Sequence, residues 1–254
     1  MVWADGANRA MTATISAVVC AYNEAGTLGA CLHSLLAQTR PPDEIIVVDN
    51  ASTDATGAVA RGVPGVLVVH EPRKGLVIAR ETARRAARGD VLAYVDADCR
   101  APLCWLARVE RHFADAAVVA VTGPYRFYDW DLGGRAIIRI YDWLVAPPTH
   151  FVVHTLLGIG AILYGGNFAV RRSALAQIGG FDPRIEFHGE DTNLGRRLTP
   201  LGRVAVRRDC WVWTSARRYR AMGKLTVFGL YVRNFWSEIL RHRPADRDHL
   251  DVRA

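Results

Sequence analysis

Four short, largely apolar runs, Ile15–Ala21, Glu44–Asp49, Val66–His70 and Val91–Val95, follow one another with room for a helix between each pair. From Thr27 to Gln38, Leu28, Cys31, Leu32, Leu35 and Leu36 recur at helical spacing, and Thr39-Arg40-Pro41-Pro42 ends that helix. The capping residues Asn50-Ala51-Ser52-Thr53-Asp54 open a short second helix to about Arg61, before a turn at Pro64-Gly65. Arg73-Lys74-Gly75 leads into a third helix to about Arg88, and Gly89-Asp90 turns into the fourth run. The pattern β-α-β-α-β-α-β predicts an α/β fold with a parallel sheet, wound by right-handed crossovers and covered on both faces. Every loop that leaves a strand then lies on one sheet edge. That edge gathers Tyr22, Asn23, Glu24, Asp49, Asn50, Asp96 and Asp98, as at a nucleotide-binding crevice.

The fourth run continues as Val95-Asp96-Ala97-Asp98. Positions i and i+2 of a strand share a face, so two carboxylates point the same way from the end of the strand. Such hard oxygen donors suit Mg²⁺ or Mn²⁺, with a substrate's phosphates completing the shell. A plain turn cap is the competing reading.

The second half is less regular. Helices are predicted over Leu103–Phe113, Gly133–Val145, from Ser173, Asp191–Leu201 and Leu225–Leu240. Strands are predicted over Ala117–Thr122, Gly166–Arg171, Val204–Val206 and Trp211–Trp213, with a turn at Gly179–Pro183. Residues 143–170 contain no Asp, Glu, Lys or Arg, yet their most apolar part, Phe151–Tyr164, is too short to span a bilayer. It predicts a buried or interfacial helix. Residues 1–13 are small and polar and predict disorder. They carry no charged segment followed by an apolar one, so no signal peptide is expected.

The net charge of +7 is unevenly placed: residues 203–254 hold 12 Arg/Lys and 5 Asp/Glu, so the rest is formally neutral. A basic C-terminal end suits an anionic partner or is a solvated face. Five scattered cysteines form no Cys-x-x-Cys pair, which argues against a disulfide framework or a zinc site and fits a reducing compartment. Nothing divides the chain, so residues 1–254 read as one domain: a nucleotide-binding half over 14–123, an acceptor half over 124–220, and an amphipathic helix with a basic tail over 221–254.

Seven motifs occur in order: Ala21-Tyr22-Asn23-Glu24, Val47-Val48-Asp49-Asn50-Ala51-Ser52-Thr53-Asp54, Ala79-Arg80, Asp96-Ala97-Asp98, Gly166-Asn167, Gly179-Gly180-Phe181-Asp182 and Gly189-Glu190-Asp191. Over roughly residues 14–220 the chain resembles family 2 glycosyltransferases. The resemblance implies the GT-A fold, a Rossmann-like, mostly parallel central sheet flanked by helices with a less regular acceptor side. It also implies a nucleoside diphosphate sugar donor, a divalent cation and inversion at the anomeric centre. Carried onto this chain, Ala21, Tyr22 and Glu24 would border the base and ribose, and Asp49 would accept a hydrogen bond from the base. Arg80, and less strongly Lys74, would lie near the nucleotide. Asp96 would hold the ribose or a metal-bound water, and Asp98 would ligate the metal. Asp191 would be the general base, with Glu190, Gly166 and Asn167 lining the sugar and acceptor pocket.

Processive members of that family carry Gln-x-x-Arg-Trp after the Glu-Asp motif, together with membrane-spanning helices. Here Ser215-Ala216-Arg217-Arg218 stands instead, so transfer of a single sugar is expected. Arg217 and Arg218 are candidates to contact the diphosphate or an anionic acceptor. The expectation is a metal-dependent transferase, with a UDP-sugar favoured, at the cytoplasmic side. It would act at the inner face of the membrane on a glycan or lipid-linked acceptor, with peripheral contact to anionic lipid and no nucleic acid partner. A sugar-nucleotide nucleotidyltransferase is the competing enzyme class, but it needs a Gly-rich, Arg-containing loop where Tyr22-Asn23-Glu24 stands. A non-catalytic binding module is disfavoured because Asp96, Asp98 and Asp191 are all present.

Overall fold

A computed structural model describes residues 13–185 and 188–246. The expectation of disorder over 1–13 falls, apart from Ala13, outside these residues, as does the end of the basic tail. In chain order the first half holds β1 (Ile15–Ala21), α1 (Ala25–Leu36), β2 (Glu44–Asn50), α2 (Thr56–Arg61), β3 (Val66–Glu71), α3 (Leu76–Ala86) and β4 (Val91–Asp96). Then come α4 (Trp105–Phe113), β5 (Val118–Thr122), β6 (Tyr125–Phe127), α5 (Leu132–Ile140), α6 (Ala146–His150), β7 (Asn167–Arg171) and α7 (Arg172–Gln177). The chain continues through α8 (Glu190–Leu198), β8 (Arg203–Val206), β9 (Val212–Thr214), α9 (Arg217–Met222) and α10 (Lys224–Arg241).

Seven strands form one sheet in the order β3-β2-β1-β4-β7-β5-β8. The pairs β1–β2, β1–β4, β2–β3 and β5–β8 are parallel, while β7 runs antiparallel to both β4 and β5. Strands β6 and β9 form a separate parallel pair. The mostly parallel α/β sheet is therefore as the alternation predicts. Register sets Cys20 opposite Asp96 and Ala21 opposite Asp49, which brings the loops after β1, β2 and β4 to one edge.

Alternate residues of the strands serve two apolar layers. Ala17 and Val19 pack with Leu28, Leu32 and Leu35 of α1 and Trp105 and Leu106 of α4. Val18, Ile46 and Val48 pack on the other side with Val77, Leu175, Leu194 and Leu198. Each fully buried leucine contributes about 1.5–3 kcal/mol of apolar burial, which holds the loops at the sheet edge on a rigid base.

The second half departs from the simple helix expected over 133–145. Helix α5 widens into a π-helical turn over Tyr141–Val145, and a second follows α6 over Phe151–Leu156. Pro147 and Pro148 lie between them and withhold two N–H donors, so the regular ladder is broken there. Two stacked histidines pin this segment to β8. His150 Nε2 donates to Val204 O at 3.0 Å while its Nδ1 accepts from Ile162 N at 3.2 Å, and His154 Nε2 accepts from Val204 N at 3.0 Å. Both rings are thus neutral.

Candidate active site

A cleft of about 580 Å³ opens at the edge where β1 and β4 end and β7 begins. Its floor is set by two loops that brace each other. Asn23 adopts φ +51°, a left-handed conformation that asparagine tolerates. Its Oδ1 accepts from Thr53 N at 2.8 Å, and its own N–H donates to Ser52 Oγ at 3.1 Å. Glu24 N donates to Thr56 Oγ1 at 2.7 Å, and Ala25 N donates to Asp54 Oδ2 at 3.1 Å. The Asn50–Asp54 run therefore caps the start of α1 from across the sheet edge, and so positions Tyr22 and Glu24. Asn50 fixes the next loop, donating to Arg73 O at 2.6 Å and accepting from Gly75 N at 2.9 Å.

Asp96, the last residue of β4, and Asp98, in the turn after it, line the cleft beside this floor. A glycine pair makes room for them and for the acids of α8. A Cβ on Gly166 would stand 2.1 Å from Asp96 Oδ2, and one on Gly165 would stand 2.8 Å from Glu190 Oε1. Asp98 is buried, and Arg217 Nη2 lies 3.2 Å from its Oδ2. The same guanidinium pairs with Glu24, with Nη1 to Oε2 at 2.9 Å. Burial, opposed by Arg217 and reinforced by Asp96 and Glu24, pushes the Asp98 carboxyl up to about 7. A group of hard oxygen donors that already draws in a guanidinium fits a divalent cation.

At the opposite wall Arg80 is 2 % exposed and joins α3 to α8. Its Nη1 donates to Glu190 Oε1 and its Nη2 to Gly165 O, each at 2.5 Å. Asp191 follows in the first turn of α8, after Gly189 at φ +79°. Asp191 Oδ1 accepts from Thr192 N at 2.7 Å, which leaves Oδ2 on the side of Gly165. Burial, and then the charge of Glu190, raise the Asp191 carboxyl; Thr192 and Arg80 act against them. The arrangement places two acids at the end of β4 and a separate, half-buried carboxylate at the start of α8 on one cleft.

Residues 16–179 match the family described as Glycosyl transferase family 2. The chain belongs to that family. Glycosyltransferase AglE of Haloferax volcanii is 29% identical over 202 residues, which cover 76% of this chain and 64% of that protein. The chain thus spans just under two thirds of that relative. The mannosyltransferase PcManGT of Pyrobaculum calidifontis, solved with GDP-Man and Mn²⁺, superposes with TM-score 0.66 at 25% identity, covering 88% of this chain and 65% of that one. Glucosyl-3-phosphoglycerate synthase of Mycobacterium tuberculosis, solved with Mn²⁺, UDP and phosphoglyceric acid, superposes with TM-score 0.62 at 23% identity, covering 90% and 78%. It shares the GT-A fold.

In this family 2 chain Tyr22, Glu24, Arg80, Asp96, Asp98, Gly166, Glu190, Asp191, Arg217 and Arg218 all line the cleft. Lys74 sits over the Tyr22 ring at 3.9 Å. Ala21 is buried at the end of β1, and Asp49 lies one strand further out, beside His70 and Gly57. Asn167, expected in the sugar pocket, is turned inward instead. Its amide donates to Gly123 O and Cys210 O at 2.8 Å each and accepts from Trp105 Nε1 at 3.0 Å. Both N–H donors of that side chain are thereby used inside the protein, and its oxygen accepts there as well. Sequence reasoning passed over Asp142, Tyr125 and Tyr164. The available signal was one acid, Asp142, in the apolar helical stretch 137–145, since a lone acid in such a stretch needs a partner. A second cluster, His112, Asp209 and Cys210, resembles a metal-ligand set. Arg111 occupies the Asp209 carboxylate there at 2.6 Å, so its charge is already met.

The raised carboxyls make stability depend on pH. Asp98 and Asp191 hold protons in the folded state that the unfolded chain has released by neutral pH, so their contribution falls as pH rises. Below pH 6.5 half-buried, neutral His150, lowered to about 4, has the opposite sign: its contribution to stability is lost as pH falls. As pH rises past about 6.5 the opposing effect of His150 and His154 fades, and the two raised carboxyls prevail. The Tm of the nucleotide-free protein is therefore expected to fall between pH 6.5 and 8, and Asp98→Asn to flatten the slope. Differential scanning fluorimetry reads this directly, and a Tm that climbs over that interval contradicts it.

Proposed function

We propose that this chain moves one sugar from a nucleoside diphosphate sugar, UDP-sugar favoured, to an acceptor with inversion of the anomeric centre. The observation that carries this reading is the convergence of Asp96 at the end of β4 and Asp98 in the turn after it with Asp191 from α8 on a single cleft. Asp191, as carboxylate, takes the proton of the attacking acceptor hydroxyl, and Thr192 holds its other oxygen. Arg80 keeps Glu190 and Gly165 in place around it. Asp98, with Asp96, would hold Mn²⁺ or Mg²⁺, which when bound supplies positive charge to the leaving diphosphate. Arg217 and Arg218 add the chain's own positive charge on that side, and Tyr22 and Glu24 border the nucleoside. GDP-Man in the solved mannosyltransferase and UDP in the solved glucosyl-3-phosphoglycerate synthase, each with Mn²⁺, support a nucleotide sugar donor.

Calorimetric titration with UDP, GDP and dTDP tests the reading. One nucleotide is expected to bind in Mn²⁺ and to lose at least about tenfold in affinity in EDTA. Absence of binding by all three with Mn²⁺ present would remove the transferase assignment.

A lipid-linked or cell-envelope acceptor at the cytoplasmic face of a membrane is the finer part of the reading. No helix among the described residues is long and apolar enough to cross a membrane. The helical segment from Leu132 to Ile159 and the face of α10 nevertheless expose many large apolar side chains, with Leu132, Leu144 and Leu225 the most open at 82, 70 and 88%. Arg135, Arg139, Arg208 and Lys224 stand exposed among them. Apolar side chains ringed by cations suit an interfacial contact with anionic lipid. Co-sedimentation with phosphatidylglycerol vesicles at low salt is the expected outcome, and no sedimentation would remove the membrane part alone.

A further inference from the structure

The acceptor side of the cleft holds a carboxylate that the reaction above does not use. Asp142, 9 % exposed, stands in the first π-helical turn and lines the cleft. Its Oδ1 accepts from Tyr164 Oη at 2.6 Å. Among the described residues its Oδ2 has no hydrogen-bond partner. Oδ2 is open to the cleft and not sealed in the wall, so the hydroxyl of a bound ligand can donate to it. Burial pushes this carboxyl only to about 6, against the Tyr164 hydrogen bond and the charges of Arg208 and Arg126, so it is ionised at neutral pH.

Its neighbours narrow the ligand. Tyr164 meets Tyr125 edge-on, with ring centroids 5.5 Å apart, and Tyr141 meets Phe228 of α10 at 6.0 Å. All four rings line the same cleft. Aromatic faces beside a hydrogen-bond acceptor suit a ring that has apolar C–H faces and hydroxyl edges. An anionic group set directly against Oδ2 would be repelled by Asp142. A cationic one would meet Arg126 and Arg208, which act on Asp142 from their stacks on Trp211 and Trp143.

We infer that this end of the cleft is a subsite for a neutral sugar of the acceptor, whose hydroxyl donates to Asp142 Oδ2 while Tyr164 holds Oδ1. The inference rests on the transferase reading of the same cleft and names its acceptor class as a glycan, not a phosphate. Asp142 is a specificity residue for that sugar and takes no part in proton transfer.

The test titrates the full chain, loaded with Mn²⁺ and nucleoside diphosphate, against octyl β-glycosides of glucose, galactose and mannose and against octyl phosphate, by saturation-transfer NMR below micelle concentrations. At least one glycoside is expected to bind better than octyl phosphate. Asp142→Asn, which keeps the bond from Tyr164, should weaken that glycoside by about tenfold or more, because hydrogen bonds to charged groups are the stronger kind. The same variant should leave octyl phosphate unchanged or tighter, a change of preference that a merely structural role for Asp142 would not produce. A wild-type preference for octyl phosphate, binding of no glycoside, or equal weakening of both probes would overturn the inference. Nucleotide binding is read in the same samples, and its absence would overturn the transferase reading and the subsite with it.

Discussion

An Asp191→Asn variant is expected to lower kcat for sugar transfer by about 10³-fold, within the range of ~10²–10⁴ typical of a positioned general base. Nucleoside diphosphate binding with Mn²⁺ should stay within about twofold of the parent. The amide keeps the shape and still accepts from Thr192 N, but it cannot take a proton. The sign of the pH dependence follows from the same group. Burial and Glu190 raise the Asp191 carboxyl, and the base works deprotonated, so wild-type kcat rises with pH through that titration. The variant's residual rate should lack this limb. A variant that transfers sugar at the parental rate removes Asp191 from the role.

Arg80→Met is expected to be the most destabilising single change at the site, by about 3–5 kcal/mol, because it leaves Glu190 as a buried charge without its partner. For a chain of this length that is on the order of 10 °C in Tm. Arg80 also ties Gly165 to α3, so the sugar side of the cleft should loosen and transfer should fall with stability. Pairing Arg80→Met with Glu190→Met should recover most of the lost Tm, since the lone charge goes as well. A single variant that melts with the parent would show that the ion pair does not hold the wall.

The first half of the fold was legible because its strands are covered on both faces and its loops must share one edge. Tyr22, Glu24, Asp96 and Asp98 were placed on that basis, and the structure brings them onto one cleft. Asp191 and Glu190 were legible as acids opening a helix, but periodicity alone could not bring that helix beside β4. That depends on β7, whose antiparallel direction the sequence pattern does not encode. Asn167 was read outward and lies inward because its neighbours Trp105, Gly123 and Cys210 are far away in sequence. Helix α9 and the short β6 were not foreseen: six and three residues carry too few periods to register. The two π-helical turns escaped for a similar reason, since a widened turn shifts the apolar stripe that a 3.6-residue period would follow.

The reversal of β7 has a further result. Strand β5 ends and β7 begins at the same edge, with Thr122 opposite Phe168, so everything from Gly123 to Gly166 leaves the sheet and returns at one point. The two feet are stitched together there: Thr122 Oγ1 donates to Asn167 O at 2.8 Å, and the Asn167 amide donates to Gly123 O. A long excursion closed at its base adds little chain entropy as its length changes. The segment that carries Asp142, Tyr164 and the exposed apolar helices is held further in by β6 on β9 and by His150 and His154 on β8, so changes in length confined to its exposed helices need not alter the register of the seven-stranded sheet. The carboxylates at the end of β4 and the start of α8 thus stand on the sheet's own framework, while the acceptor subsite inferred above stands on a separately stapled loop.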